Sequence, residues 1–227
     1  MSGITLYHHW SSPDCMRLRL ALGAKGLAYE SRPLAYTDFE TALDLGYDRV
    51  LPILEWPDGS RDNQSLPLLL ELERRYPEPV LLDGLVDATE WQAFLDWHAR
   101  LAPLLERLIA PVRPGFAEIG GDTEALAIYK AECERRFGQI PEALSNDRYD
   151  GYRQLEQLGQ LRALSRQLAR KRFYAGQLSL IDILLTADFQ LLRLLDGVTL
   201  PLDLMYYFQR VAEACHEDLD AGLQHAA

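Results

Sequence analysis

Near the start of the chain a hydroxyl and a thiol stand three residues apart, Ser12 and Cys15, in the run Leu6-Tyr-His-His-Trp-Ser-Ser-Pro-Asp-Cys-Met-Arg-Leu-Arg-Leu-Ala-Leu22. Pro13 suits the first position of a helix, because it lacks an N–H that would be unpaired there anyway. Ser12 is then the N-cap, with Asp14 second and Cys15 third in the helix. A hydroxyl, a thiol and the unpaired N–H groups of a helix start converge on one small patch, which can hold an anionic sulfur or oxygen. The four residues Ser12 to Cys15 also form a C-x-x-C redox motif whose first cysteine is replaced by serine. The usual nucleophile is missing, so dithiol exchange is not expected. Cys15 is either a lone nucleophile or a small, inert core residue. Asp14 stabilises the helix start but competes with a bound thiolate, unless it points to solvent.

Two later stretches offer binding groups. Val50-Leu51-Pro52 enters a strand through a proline. A cis bond there turns the Leu51 N–H and C=O outward, where a peptide-like ligand can pair with them; a trans proline would only begin an edge strand. Gln64-Ser65 opens a helix, with Ser65 as N-cap. Its hydroxyl and N–H suit a carboxylate, and equally suit plain capping. Ser179 and Asp182 read as a capping box, a folding signal for the apolar helix that follows. His8, His9, His98, His216 and His225 show no metal spacing, so no metal site is expected. Tyr7 has a phenol able to activate a thiol, or is a core tyrosine.

The elements that must hold these groups change character along the chain. Ile4, Leu6 and His8 alternate with Thr5, Tyr7 and His9 as a strand. A helix follows to Lys25-Gly26. Leu27 to Leu34 reads as a second strand, and Asp38 to Leu45 as a weak helix. Val50 to Trp56 and Arg61 to Asn63 form a hairpin around Pro57-Asp58-Gly59-Ser60, and a helix runs from Ser65 to about Tyr76. From Asp87 the pattern is helical. A long helix from about Trp91 to Leu108 is bent at Pro103, a loop spans Pro111 to Asp122, and helices cover Thr123 to Phe137, Tyr152 to Phe173, Leu178 to Leu195 and Leu204 to Leu223. The expected organisation is an α/β unit over 1–82, ordered βαβαββα, and an all-α unit over 83–227.

A chain of 227 residues with 48% hydrophobic and 25% charged residues can bury a core without disulfides or metals. A net charge of −11 argues against binding a phosphate backbone as the main task. Three scattered cysteines suggest no disulfide framework and fit a reducing cytoplasm. The apolar runs are broken by Asp182, Asp188 and Arg193, so no membrane span is expected.

In their order and spacing these pieces resemble a cytosolic glutathione transferase over nearly the whole chain. Leu6-Tyr7, Ser11-Ser12 and Arg17 to Leu22 look like the opening of the serine-type, zeta-like members. Leu51-Pro52 sits where the family has its cis-proline. Gln64-Ser65-Leu66 with Leu68, Leu69 and Glu71 looks like its γ-glutamyl loop and following helix, and Ser179 to Asp182 matches its capping box. The resemblance implies a thioredoxin-like N-terminal domain and a helical C-terminal domain, glutathione as co-substrate, a small hydrophobic electrophile in the cleft and a homodimer. It implies that Ser12 donates to the glutathione sulfur and that Leu51 and Pro52 align the cysteinyl unit. Gln64 and Ser65 would hold the γ-glutamyl carboxylate, with Arg49 a weaker candidate for the glycine end. Trp91, Trp97 and Tyr174 are candidates for the acceptor side. The expected activity is conjugation in detoxification. Two rivals stay open: glutaredoxin-like thiol transfer through Cys15, and a non-catalytic binding protein on this fold, like the stringent starvation proteins.

Overall fold

The computed structural model of the chain describes residues 3–48, 50–196 and 199–224. Strand β1 (Ile4–His8) leads to α1 (Pro13–Ala24), β2 (Tyr29–Pro33), α2 (Glu40–Asp44), β3 (Ile53–Glu55), β4 (Arg61–Asp62) and α3 (Ser65–Arg75). The sheet order is β2-β1-β3-β4. β1 runs parallel to β2 and antiparallel to β3, and β4 returns antiparallel along β3. This is the expected thioredoxin-like α/β arrangement.

Alternation in β1 sends its side chains into two cores. Ile4 and Leu6 join Leu18, Leu22, Leu54, Leu68 and Leu72 under α1 and α3. Tyr7 joins Ile53, Leu34 and Ala42 on the α2 side. Tyr7 is therefore a core tyrosine. Helix α1 stops because Lys25 closes its last turn and Gly26 takes φ +62°, a conformation glycine adopts without steric cost.

The rest is helical: α4 (Ala88–Ile109), α5 (Ala117–Gly120), α6 (Thr123–Phe137), α7 (Pro141–Leu144), α8 (Arg148–Gly159), α9 (Leu161–Ala169), α10 (Leu180–Phe189) and α11 (Leu202–Ala214), with 3-10 turns between some of them. Three sequence expectations are corrected. The segment 111–122 is not all loop, since it contains a 3-10 turn and the short α5. The single helix expected over 152–173 is two, broken at Gln160 with φ +49°. Leu155, Leu161 and Leu168 enter one core, so the leucine stripe runs across the break and hides it. Helix α11 ends at Ala214 rather than near Leu223, because His216 turns the backbone at φ +54°.

Every residue of α10 is buried, and α1 packs against it. Its start is organised by Asp182. The buried carboxylate accepts from the N–H and hydroxyl of Ser179 (2.8 and 2.5 Å), the N–H of Tyr174 (2.7 Å) and the hydroxyl of Tyr207 (2.5 Å). Burial pushes its pKa up, and these donors oppose the rise. The end of α11 touches α1 backbone to backbone: a Cβ at Gly23 would lie 1.7 Å from the Cys215 carbonyl oxygen, so only glycine fits. Beyond it, Glu217 pairs at 2.6 Å with Arg19, which is 1% exposed and stacks over Trp10. No described helix is long and apolar enough to cross a membrane.

Candidate functional site

The site is the turn between β1 and α1. Ser12 has extended backbone angles (φ −91°, ψ 121°), and its Oγ accepts from the Cys15 N–H at 3.4 Å. The N–H of Asp14 has no acceptor among the described residues, and the Ser12 hydroxyl is shared only with Cys15 of the same turn. A donor pair at a helix start is therefore open to an anion. Ser11 differs. It is 3% exposed, and its N–H and hydroxyl donate to Glu118 Oε1 at 2.8 and 2.7 Å. The Trp10 N–H donates to Glu118 Oε2 at 2.8 Å. Of the two serines, Ser12 has the hydroxyl that is not tied to the helical half. Glu118 lies on α5, and the C-terminal segment holds α5: Ala117 donates to Gly222, and Gln224 to Gly115. Gly222 in turn lies flat against Trp10, where a Cβ would meet the indole at 2.4 Å.

Cys15 is fully buried, and its sulfur accepts from the His9 N–H at 3.4 Å. Burial pushes its thiol up to about 11, and the Ser12 hydrogen bond and Arg19 recover only part of that rise. At neutral pH it is a protonated core thiol.

Leu51–Pro52 is cis. Tyr7 faces Ile53 across the ladder, so the register continued by two residues sets Leu51 beside His9, at the end of β1 that leads to Ser12. The Leu51 N–H and C=O have no partner among the described residues. Gln64, not Ser65, is the N-cap of α3, and Ser65 is the first helical residue. The Gln64 side chain is exposed, and Ser65 is 9% exposed. Arg49 lies outside the described residues.

The Asp14 carboxylate is half exposed, yet engaged by the chain's own groups. It accepts from the Ser65 hydroxyl at 2.5 Å and from Arg17 at 2.6 Å. Arg17 also donates to Ser65 Oγ at 3.0 Å, and to Asp188 Oδ1 at 3.1 and 2.6 Å. His98 on α4 meets the other Asp188 oxygen at 2.6 Å. Burial alone would raise the Asp188 carboxyl, but the Arg17 charge and the His98 hydrogen bond hold it below the usual range. The starts of α1 and α3 are thus joined to α4 and α10 through polar contacts. The sequence reading missed Glu118, Asp188, His98 and the bridging role of Arg17. Glu118 bonds residues more than 100 positions away, and Asp188 bonds residues 171 and 90 positions away, so no local spacing marks them.

A small cavity of about 50 Å³ opens beside Pro13, Asp14, Arg17, His98 and Asp188. It shares Glu106 and Arg113 with a larger one of about 220 Å³. Trp97 and Tyr174 instead line a separate groove of about 330 Å³ between α4, α9 and α10, to which no residue of the sheet-bearing half contributes; Trp91 is not in its lining. Among the described residues no group of three or more His, Cys, Asp or Glu is arranged around a metal position.

Residues 6–80 match the family "Glutathione S-transferase, N-terminal domain", and residues 93–219 match "Glutaredoxin 2, C terminal domain". The chain belongs to the glutathione S-transferase family, with a helical half of the glutaredoxin 2 type. Glutathione S-transferase Z1 of Arabidopsis thaliana is 34% identical over 83 residues, which are 35% of this chain and 37% of that protein. The match thus spans little more than a third of that curated relative. The fold resembles that of Glutaredoxin 2 from Salmonella typhimurium, solved with glutathione (TM-score 0.79, 19% identity, 96% of this chain and 97% of that one). It also resembles a glutathione S-transferase of Ceriporiopsis subvermispora, solved with glutathione (TM-score 0.72, 17% identity, 95% and 97% covered). Maleylacetoacetate isomerase from Anaeromyxobacter dehalogenans, with bound dicarboxyethyl glutathione and citrate, is more distant in shape (TM-score 0.52) but 26% identical, with 95% and 91% covered.

Proposed function

We propose that this protein is a glutathione transferase, joining the glutathione sulfur to a small electrophile. The observation that carries the reading is the Ser12 hydroxyl, engaged by no group outside its own turn, at the start of α1 beside a buried, protonated Cys15. A free thiol has a pKa near about 8.5, so little is thiolate at neutral pH. A hydroxyl donor and helix N–H groups favour the anion and lower that value. The thiol proton leaves to solvent. The thiolate then attacks an electrophilic carbon, and a leaving group departs with its electron pair or the resulting carbanion takes a proton. In this reading the unit 1–82 holds glutathione: Leu51 pairs its open backbone with the cysteinyl unit, and the N–H groups at the start of α3 receive the γ-glutamyl carboxylate. The unit 83–227 covers the electrophile. A homodimer in the cytoplasm, removing reactive small molecules, completes the proposal. Glutathione and glutathione conjugates are bound in structures of the same fold, which supports it.

A second reading, thiol transfer through Cys15, is favoured by the glutaredoxin 2 type of the helical half. It requires attack by a thiol that has no exposed surface. The two readings separate in one experiment. Thioether formation is measured with a model electrophile for the wild type, Ser12→Ala and Cys15→Ser, and mixed disulfide at Cys15 is sought by mass spectrometry. The proposal expects Ser12→Ala to lose far more activity than Cys15→Ser, with no adduct at Cys15. A Cys15–glutathione disulfide in native protein, with Ser12→Ala fully active, would establish the second reading instead. Sedimentation tests the dimer.

A further inference from the structure

Arg113 is a half-buried cation without a counter-ion among the described residues. It sits in the 3-10 turn after α4. Its Nε is buried with no hydrogen-bond partner, and no ion pair engages its guanidinium among the described residues. The two carboxylates beside it are engaged, while Arg135, exposed at the rim, has no ion pair among the described residues either. Glu106 pairs with Arg136, and Glu132 accepts from the Tyr36 hydroxyl. The lining of the 220 Å³ cavity holds three guanidinium groups, Arg113, Arg135 and Arg136, against the two carboxylates Glu106 and Glu132. Ala110, Phe137 and the ring of Tyr129 supply apolar wall. Arg113 also lines the smaller cavity that begins at Pro13, the residue after Ser12. One guanidinium thus belongs to the linings of both cavities.

We propose that Arg113 binds a carboxylate of the second substrate, so that the acceptors of this protein are acidic electrophiles. This rests on the transferase reading for the reaction, but not for the binding. A buried guanidinium N–H left without a partner is an unusual feature in a folded chain and calls for a ligand group. Guanidinium presents parallel N–H donors that match a carboxylate, and desolvation strengthens that pairing. The space takes a single substituted ring, since an apolar cavity of about 150 Å³ accepts benzene.

The test uses 4-chloro-3-nitrobenzoate and its amide, which share a ring and a leaving group but differ in charge. Calorimetric titration of each into the wild type, without glutathione, is expected to show preference for the acid. Arg113→Gln should reduce that preference on the order of tenfold, and Arg113→Lys should recover part of it. An unchanged acid-to-amide ratio in Arg113→Gln overturns the proposal. The same variants are then assayed for thioether formation. The acid-to-amide ratio of kcat/KM should fall in parallel with binding. A rise in the glutathione KM of equal size with both electrophiles would mean that Arg113 holds a carboxylate of glutathione itself, which also overturns the proposal. If the wild type forms thioether from neither compound, the transferase reading fails, while the calorimetric ratio still decides the role of Arg113.

Discussion

The hydroxyl of Ser65 donates to the carboxylate of Asp14 at 2.5 Å. Two helix starts, each suited to a ligand anion, are bridged by an anion of the chain itself. The family resemblance assigns Ser65 to the γ-glutamyl carboxylate, yet its hydroxyl is already committed, and Arg17 is shared between Ser65 and Asp14. In the proposed transferase reading Asp14 therefore competes with the ligand at α3 as well as with the thiolate at α1.

Asp14→Asn is accordingly expected to strengthen glutathione binding. The Asp14 side chain is 47% exposed, so the gain is modest, about fivefold at most in KM. Steady-state kinetics at fixed electrophile would show it. A rise in KM would mean that Asp14 itself receives the ligand, for example through its ammonium group.

Cys15 is expected to resist alkylation in the folded protein. Its thiol titrates at about 11, because burial disfavours the thiolate. Iodoacetamide at pH 7.5 should label it only after unfolding, as read by mass spectrometry. Rapid native labelling would undo its assignment as a core residue.

Glu118→Gln keeps the side-chain shape but replaces one acceptor oxygen with a donor that faces N–H groups. Three hydrogen bonds to a carboxylate depend on Glu118. The variant should lose about 2 kcal/mol in urea unfolding, and turnover should fall as the Ser12 turn loosens. A stability within about 0.5 kcal/mol of wild type would show that the turn holds without it.

His8 contributes to the acid limb of stability. Arg19 donates to its Nδ1 at 3.3 Å, which leaves the proton on Nε2 to donate to Ser31 Oγ at 2.8 Å. Burial, with Arg19 second, lowers its pKa from 6.5 to about 3. The unfolded chain therefore binds one more proton between these values. This contribution is whole above pH 6.5 and is lost as pH falls toward 3, at up to about 1.4 kcal/mol per pH unit. His8→Gln should flatten that slope in unfolding curves measured across the range. Equal slopes would contradict a neutral buried imidazole.

Local patterning in the sequence reported the elements and the sheet-bearing half well. Alternation in Ile4 to His8, the Ser12-Pro13 start and the span Thr123 to Phe137 all reappear in the structure. What escaped was set by distant contacts. The leucines on either side of Gln160 keep their spacing through the change of helix, so periodicity is blind to it. Asp188 sits in a largely apolar helix, and only the fold brings Arg17 and His98 to it. Glu118 lies in a segment that reads as loop, and nothing nearby in sequence needs an acid there.

That last residue bears on how such chains diversify. The turn before Ser12 belongs to one half of the molecule, and the carboxylate that closes it belongs to the other. Recombination that brings in a new helical half would preserve fold and sheet but sever this tie unless an acid arrives in the same place. The two halves of this chain are therefore not independent modules, and they inherit the geometry of the serine jointly.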